Sequence, residues 1–384
     1  MSRLDRLPPY LFSAIDRAKA AARAEGRPVV DLGVGDPDRP TPPELVEVMA
    51  REVADPAGHS YPAQRGDRGL RSTVAQWLER RYGVQADPDS EILVLIGSKE
   101  GLGHLPLTCV QEGDNVLVPD TGYPVYGQAT LLAGGEPREY SLRVANGFRP
   151  DPADWNRLAD KRTRLAFANH PHNPTGATAD PGLWRELADA AREGDYVLVN
   201  DGAYLEVSLD GSRPASLLAA VDHRESRVLE LHSLSKLFNM TGWRIAFAVG
   251  NADVVGDLAR VKESMDSGVF TPIQKVAQHA LGQRFEELRA EVMAPYAARR
   301  RVIVDALAAG GFEVFAATAT FYVWARVPAG ETAAAFCARA LAEQDLVITP
   351  GTGFGPGGEG WFRISLTAAD TDIETAAQRL REWR

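Results

Sequence analysis

The sequence predicts an α/β protein: a mostly parallel central sheet flanked by helices, joined to a smaller α+β domain. In the middle of the chain, short and nearly continuous apolar runs alternate with longer amphipathic stretches. Such runs are typical of strands that are buried on both faces of a parallel sheet. Their alternation with helices implies right-handed crossover connections. The C-terminal quarter differs, because one long helical stretch there precedes mixed strand and helix signals.

The individual elements are predicted from apolar residue composition and from the residues that typically begin and end helices. Strand-like runs rich in Val, Ile, Leu and Phe occupy residues 91–98, 115–120, 164–169, 196–201, 227–233 and 243–250. Helices are predicted over 69–83 and 181–194, the second with Pro near its start and Gly at its end. The C-terminal part predicts helices over 284–309 and 331–343 and strands over 321–328 and 361–367. We expect three parts: an N-terminal arm with the first part of the small domain (1–44), a large α/β domain (45–284) and a C-terminal small domain (285–384).

Composition excludes several functional classes. The 384 residues carry a net charge of −10, whereas general nucleic-acid binding needs clustered cations. Cys109 and Cys337 are too few for a disulfide framework or a thiolate zinc site. No apolar run approaches the ~20 residues that span a bilayer, and the N-terminus lacks the apolar core of a secretory signal. We therefore expect a soluble, cytoplasmic protein with no nucleic-acid or membrane partner.

The most informative segment is LHSLSKLFNMTGWRIAFAVG, in which a strand ends in a Ser-Leu-Ser-Lys turn. A lysine on a tight turn at a strand end is well placed to form a Schiff base. The chain has only six lysines, so Lys236 is one of few candidates for such chemistry. The alternative is a solvated loop lysine. This alternative is less favoured because the hydroxyls of Ser233 and Ser235 flank the lysine and Arg244 is nearby.

Two further strand ends carry polar side chains. In VLVNDGAY, Asp201 ends a strand and can pair with a protonated pyridine nitrogen, or it can cap a helix. In ANHPHNPTGA, Asn173 can hydrogen-bond a ring hydroxyl. His170 and His172 form an H-x-H pair, but no acid or cysteine stands beside them at ligand spacing. We therefore expect no metal site.

Four other motifs contain candidate binding residues. In LIGSKEGLGHL, Ser98 and Lys99 begin a helix after a glycine and can form a phosphate cup, although the known nucleotide motifs are absent. Tyr123 in DTGYPVY can stack on a planar ring, and Tyr61 in HSYPAQRG can reach a phosphate; ordinary loop packing is the alternative for both. Arg363 lies inside the apolar strand WFRISLT, where it needs either a ligand carboxylate or a structural acid as its partner.

Taken together, these residues resemble the fold-type-I pyridoxal-phosphate (PLP) enzymes, specifically the class I/II aminotransferase family. Eight segments match in the family's order along nearly the whole chain: DLGVGDPDRPTPP, YPAQRG, GSKEGLGHL, PDTGYPVY, NHPHNPTG, NDGAY, SLSKLFNMTGWRIAFAVGN and WFRISL. GSKEGLGHL and SLSKLFNMTGWRIAFAVGN are most similar to the branch of LL-diaminopimelate aminotransferases and their alanine- or glutamate-type relatives. The resemblance implies a PLP-binding large domain.

The resemblance also implies the roles of individual residues. Lys236 would form the Schiff base with the cofactor and move the proton between Cα and C4′, while Asp201 pairs with the pyridine nitrogen. The other cofactor contacts would be Tyr123 on the ring face, Asn173 and Tyr204 at O3′, and Ser98, Lys99, Ser233, Arg244 and a neighbouring subunit's Tyr61 at the phosphate. Arg363, Asn173 and the backbone of Gly35 would hold the substrate α-carboxylate. A homodimer with shared active sites is implied.

The implied reaction moves an amino group between an α-amino acid and 2-oxoglutarate or pyruvate. A β-eliminating C–S lyase on the same fold is the alternative, and a PLP-binding regulator is less favoured because the motifs leave no room for a DNA-binding domain. The donor stays open, because several positions depart from the branch pattern and can alter specificity: Arg39, Gln64, His170, His172 and Thr271.

Overall fold

The structure is a computed structural model that describes residues 3–7 and 12–383, with the backbone alone for residues 12–15. Its strands are β1 (Val30–Asp31), β2 (Ile92–Leu95), β3 (Asn115–Pro119), β4 (Glu136–Tyr140), β5 (Thr163–Ala168), β6 (Val197–Asp201), β7 (Val228–Ser233), β8 (Ala246–Gly250), β9 (Tyr322–Arg326), β10 (Leu346–Val347), β11 (Thr349–Pro350) and β12 (Trp361–Ser365). Its α-helices are α1 (Phe12–Ala24), α2 (Pro43–Val53), α3 (Arg68–Tyr82), α4 (Ser98–Cys109), α5 (Val125–Ala133), α6 (Pro152–Leu158), α7 (Pro181–Glu193), α8 (Leu217–Ala220), α9 (Leu234–Leu237), α10 (Ala252–Met265), α11 (Thr271–Ala280), α12 (Phe285–Ala309), α13 (Ala333–Gln344) and α14 (Asp370–Glu382).

A central sheet of seven strands has the order β2-β8-β7-β6-β5-β3-β4. The pairs from β7 to β4 are parallel, whereas β8 runs antiparallel to both β7 and β2. The strands other than β8 therefore end at one edge of the sheet, and β8 begins at that edge. Segments that are distant in sequence meet there.

Burial on both faces explains why the middle strands are visible in the sequence. Every residue of β2, β3, β6, β7 and β8 is buried. One face packs on a cluster that includes Trp77 and Trp184, and the other packs on a cluster that includes Leu102 and Tyr126. The predicted α/β fold class, with its mostly parallel sheet, is confirmed.

Strand β4 was not predicted, because its sequence EPREY is largely polar and contains Pro137. It lies at the edge of the sheet, where a proline without an N–H is tolerated. The predicted strand over 243–250 begins too early, because β8 starts at Ala246. Arg244 precedes it in a left-handed conformation, with φ of 56°.

The C-terminal region adds a three-stranded antiparallel sheet in the order β11-β12-β9. A separate parallel pair joins β1 to β10 through Val30 and Leu346. Both contribute to a third apolar cluster, which also includes residues of α12 and α14 such as Ile303 and Leu380. Cluster membership does not fix the limits of a domain, so the boundaries at 44 and 284 stay predictions.

Three features are absent from the part of the chain that the structure describes. None of its helices is long and apolar enough to cross a membrane. Both cysteines are free, and no group of three or more His, Cys, Asp or Glu side chains is arranged to hold a metal ion.

Candidate active site

A cavity of about 490 Å³ opens at the sheet edge where the parallel strands end. It brings together predicted residues from along most of the chain: Gly35, Ser98, Lys99, Tyr123, Asn173, Asp201, Tyr204, Ser233, Lys236, Arg244 and Arg363. Chain direction explains this meeting. The segments after β2, β3, β5, β6 and β7 arrive at their strands' carboxyl ends, while Arg244 arrives because β8 runs the opposite way.

Lys236 lies in the short helix α9, directly after β7. The side chain of Ser233 caps this turn by accepting a hydrogen bond from the backbone N–H of Ser235 at 3.2 Å. The half-buried Lys236 amine donates to the carbonyl oxygen of Gly35 at 3.1 Å. Its Nζ also lies 5.9 Å from the ring centroid of Phe321. The amine is therefore held at the junction of the central sheet with the C-terminal region.

Asp201 is buried at the end of β6. Its Oδ2 accepts a hydrogen bond from the hydroxyl of Tyr126 at 2.8 Å, and its backbone oxygen accepts one from Asn169 Nδ2 at 2.6 Å. Burial raises the pKa of Asp201 to about 6, although the Tyr126 hydrogen bond opposes that rise. A cation placed against this carboxylate would favour its charged form. The site is thus suited to a protonated ring nitrogen.

The start of α4, with Ser98 and Lys99, lies beside Ser233 and Arg244 in a group that we call the phosphate corner. Gly97 precedes the helix with φ of 76°, and a Cβ there would lie only 2.0 Å from an Arg244 guanidinium nitrogen. Glycine is therefore required for the guanidinium to approach the helix start. The Nζ of Lys99 lies 5.8 Å from the centroid of the Tyr123 ring. Free N–H groups at a helix N-terminus, with a hydroxyl from Ser98 and two cations, suit a phosphate.

Arg363 is buried on β12, facing the same cavity. Its guanidinium donates to Asn173 Oδ1 at 3.0 Å and to the carbonyl of Gly33 at 2.7 Å. It lies 4.1 Å from the ring centroid of Tyr322 and 4.6 Å from that of Phe354. Its buried Nε has no hydrogen-bond partner. Among the described residues no carboxylate pairs with it, so the structural ion pair considered as an alternative does not form there.

Sequence reasoning missed Tyr322, Phe354 and Tyr126. The hydroxyl of Tyr322 hydrogen-bonds that of Tyr204 at 2.9 Å, and a Cβ on Gly35 would come within 2.1 Å of the Tyr322 oxygen. Tyr322 lies in a predicted strand and Phe354 in a glycine-rich run. Both were visible as aromatics, but only tertiary packing places them against Arg363.

Tyr61 alone of the predicted cofactor ligands lies outside the cavity of its own chain. Its side chain is 89% exposed, which is unusual for so large an aromatic residue. The exposed apolar side chains of the described chain also include Met265 and Phe270.

The positions considered for specificity do not line this cavity in the described residues. Arg39 pairs with Asp370 at 2.8 Å, and Thr271 begins α11. The buried Gln64 Oε1 lacks a hydrogen-bond partner. His170 and His172 are fully buried, and burial lowers their pKa values to about 4 and about 3. They are therefore neutral near pH 7, and their rings hydrogen-bond the loop that carries Asn173 and the backbone oxygen of Thr121.

Comparison with known proteins decides the family. The sequence model described as aminotransferase class I and II matches residues 27–380. The chain belongs to this aminotransferase family. An LL-diaminopimelate aminotransferase of Desulforudis audaxviator is 45% identical over 379 residues, which cover 99% of this chain and 96% of the relative.

Solved structures agree with this assignment. Substrate-bound BacF from Bacillus subtilis is 33% identical with a TM-score of 0.90, covering 100% of this chain and 97% of that one. A probable N-succinyldiaminopimelate aminotransferase from Thermus thermophilus is 33% identical with a TM-score of 0.88, covering 97% and 99%. The predicted family, enzyme class and PLP cofactor are confirmed. This aminotransferase acts on amino acids and 2-oxo acids, and the comparisons do not favour the C–S lyase.

The cavity residues fit the PLP cofactor of this aminotransferase. The buried Asp201 carboxylate suits a pyridinium nitrogen, and the space at Gly97 lets Arg244 approach the helix start as a phosphate cradle requires. When bound, PLP withdraws electrons from the bonds at the substrate Cα. The guanidinium of Arg363 in the cavity lining suits an anionic substrate group.

Proposed function

We propose that this aminotransferase takes the amino group of LL-diaminopimelate and passes it to a 2-oxo acid, 2-oxoglutarate or pyruvate, with Lys236 as the proton-transferring base. One observation carries the reaction type: the Lys236 amine, the Asp201 carboxylate and the Arg363 guanidinium line one cavity. Together they provide a base, a partner for the cofactor ring and a ligand for the substrate carboxylate.

The other residues orient the cofactor. Ser98, Lys99, Ser233 and Arg244 would hold the phosphate, and Tyr123 would cover one face of the ring. Tyr204 and Asn173 would hydrogen-bond the ring hydroxyl O3′. Because Asn173 also accepts from Arg363 at 3.0 Å, one amide connects the cofactor end of the cavity to the carboxylate end.

Orientation at the reacting bond falls to Arg363 and Lys236. The guanidinium and the backbone at Gly35 hold the α-carboxylate, which sets the direction of the Cα–H bond. Lys236, whose amine lies 3.1 Å from the carbonyl oxygen of Gly35, would be the base that takes the Cα proton and later gives it back. A base held within reach of the proton that it moves contributes about 10²–10⁴-fold to such a step.

The donor is supported by the relatives and by charge. Full-length relatives at 45% identity bear the name LL-diaminopimelate aminotransferase. Asp16 and Asp36 line the cavity in addition to Asp201, and Asp16 is already paired with Lys19 at 3.0 Å. The carboxylate of Asp36 suits a substrate that carries a second ammonium group far from its reacting end.

Titration of the holoenzyme with single amino acids tests this donor. LL-diaminopimelate should bleach the absorbance band of the bound cofactor at lower concentration than glutamate, alanine, aspartate or meso-diaminopimelate. Addition of 2-oxoglutarate should restore the band. Preference for another donor would reject the substrate, and ammonia release without any 2-oxo acid would favour the lyase.

We also propose a homodimer in which Tyr61 reaches the phosphate of the neighbouring subunit. The support is that Tyr61 is 89% exposed and does not line its own cavity. Burial of such side chains against a second copy would stabilise the pair.

The cytoplasmic location stays a prediction from the sequence.

Mixed dimers test the sharing of Tyr61. Tyr61→Phe and Lys236→Ala subunits should each have low activity alone, because one loses a phosphate contact and the other the base. After mixing and subunit exchange, activity should rise, since one site then combines an intact Lys236 with the intact Tyr61 of the other subunit. A monomer by light scattering, or exchange without recovery, would contradict the shared site.

A further inference from the structure

A fully buried lysine lies behind the phosphate corner, outside the cavity. Lys262 on α10 has no exposed surface. Its ammonium lies 3.2 Å from both carboxylate oxygens of Glu100, and 2.8 and 2.9 Å from those of Asp266. A buried charge is costly unless it is paired and hydrogen-bonded, and Lys262 has both acids as partners.

Glu100 links this ion cluster to the turn that begins α4. Its Oε2 accepts a hydrogen bond from the backbone N–H of Ile96 at 2.5 Å, while its own backbone N–H donates to the carbonyl of Gly97 at 3.2 Å. Glu100 itself does not line the cavity, but Ser98 and Lys99 do. The Glu100 carboxylate thus hydrogen-bonds back to Ile96 and closes the turn that carries Ser98 and Lys99.

The remaining contacts show how firmly that carboxylate is held. Asp266 Oδ1 also accepts from the N–H of Gly268 at 2.7 Å, so Lys262 is anchored at the end of its own helix. The Nδ1 of His104 lies 3.5 Å from Glu100 Oε1, one turn along α4. The side chain of Glu100 on α4 is therefore held by Lys262 of the neighbouring helix α10.

We propose that Glu100, held by Lys262, is a positioning residue that fixes the turn bearing Ser98 and Lys99 and so sets the affinity for the cofactor phosphate. This inference rests on the proposed phosphate corner. Glu100 acts through the Ile96 N–H and does not touch the cofactor. Its effect should therefore appear for a ligand with a phosphate and be absent for the same ring without one.

The test compares the binding of PLP and of pyridoxal to the apoenzyme, followed by protein fluorescence. Glu100→Ala should weaken PLP binding about tenfold, at the lower end of the loss seen when the hydrogen-bond partner of a metal ligand is removed. Pyridoxal binding should change less than about twofold, because it lacks the phosphate. Glu100→Gln should restore most of the PLP affinity, since its amide oxygen can still accept from Ile96.

Two controls separate the possible failures. Glu112→Ala, an exposed acid just beyond α4, should leave both affinities unchanged. Ser98→Ala should weaken PLP selectively if the phosphate corner is right. If Ser98→Ala does so and Glu100→Ala does not, the positioning role is overturned. If neither does, the phosphate corner of the proposed function is overturned with it. Equal losses of PLP and pyridoxal, or no rescue by glutamine, would also reject the inference.

Discussion

Replacing Lys236 by alanine is expected to lower kcat by about 10⁴-fold or more, because the variant loses the nucleophilic amine and the group that moves the Cα proton. PLP should still bind, since Ser98, Lys99, Ser233 and Arg244, the residues proposed to hold its phosphate, all lie outside α9. Turnover and cofactor content are measured on the same preparation.

Borohydride treatment locates the amine independently of turnover. In the wild-type holoenzyme it should fix one cofactor mass on the peptide that contains Lys236, and in the alanine variant on none. Lys161→Ala, at an exposed lysine, serves as the matched control and should behave as wild type. Wild-type turnover in Lys236→Ala would reject the assignment of the base.

Replacing Arg363 by leucine is expected to raise KM for amino acids about 10–100-fold with a smaller change in kcat. A hydrogen bond to a charged group contributes about 1.5–3 kcal/mol, and the guanidinium is the buried donor proposed for the substrate carboxylate. Steady-state kinetics with the donor and with 2-oxoglutarate measure both constants.

A structural role for Arg363 predicts a different pattern. If the arginine only supports packing, the variant should lose stability and should bind a carboxylate-free amine as poorly as the amino acid. Arg326→Leu, an exposed arginine on the neighbouring β9, controls for removal of a guanidinium from this sheet. An unchanged KM in Arg363→Leu would remove it from the substrate site.

The fold was predictable where burial leaves an apolar pattern. Strands such as β6 and β7 are buried throughout, so their sequences are almost continuously apolar. Strand β4 escaped prediction because an edge strand is only partly buried and tolerates Pro137. The direction of β8 is not encoded in its apolar pattern, which is the same for parallel and antiparallel burial.

The site was predictable where residues follow strand ends. Asp201 and Lys236 stand at or directly after the ends of buried strands, so their meeting at one edge follows from the topology. The surroundings of Arg363 could not be predicted, because Tyr322 and Phe354 approach it only through packing between strands and a glycine-rich segment. The role expected for Arg363 came instead from the eight ordered motifs, which resemble a known family.

The two ends of the cavity belong to separately packed sheets. Lys236 follows β7 of the central sheet, whereas Arg363 lies on β12 of the three-stranded sheet. A substrate that engages both becomes a non-covalent cross-link between two cores. Its binding free energy therefore adds to the cohesion of the whole chain, so that saturation with substrate makes the unfolding of the two sheets more cooperative.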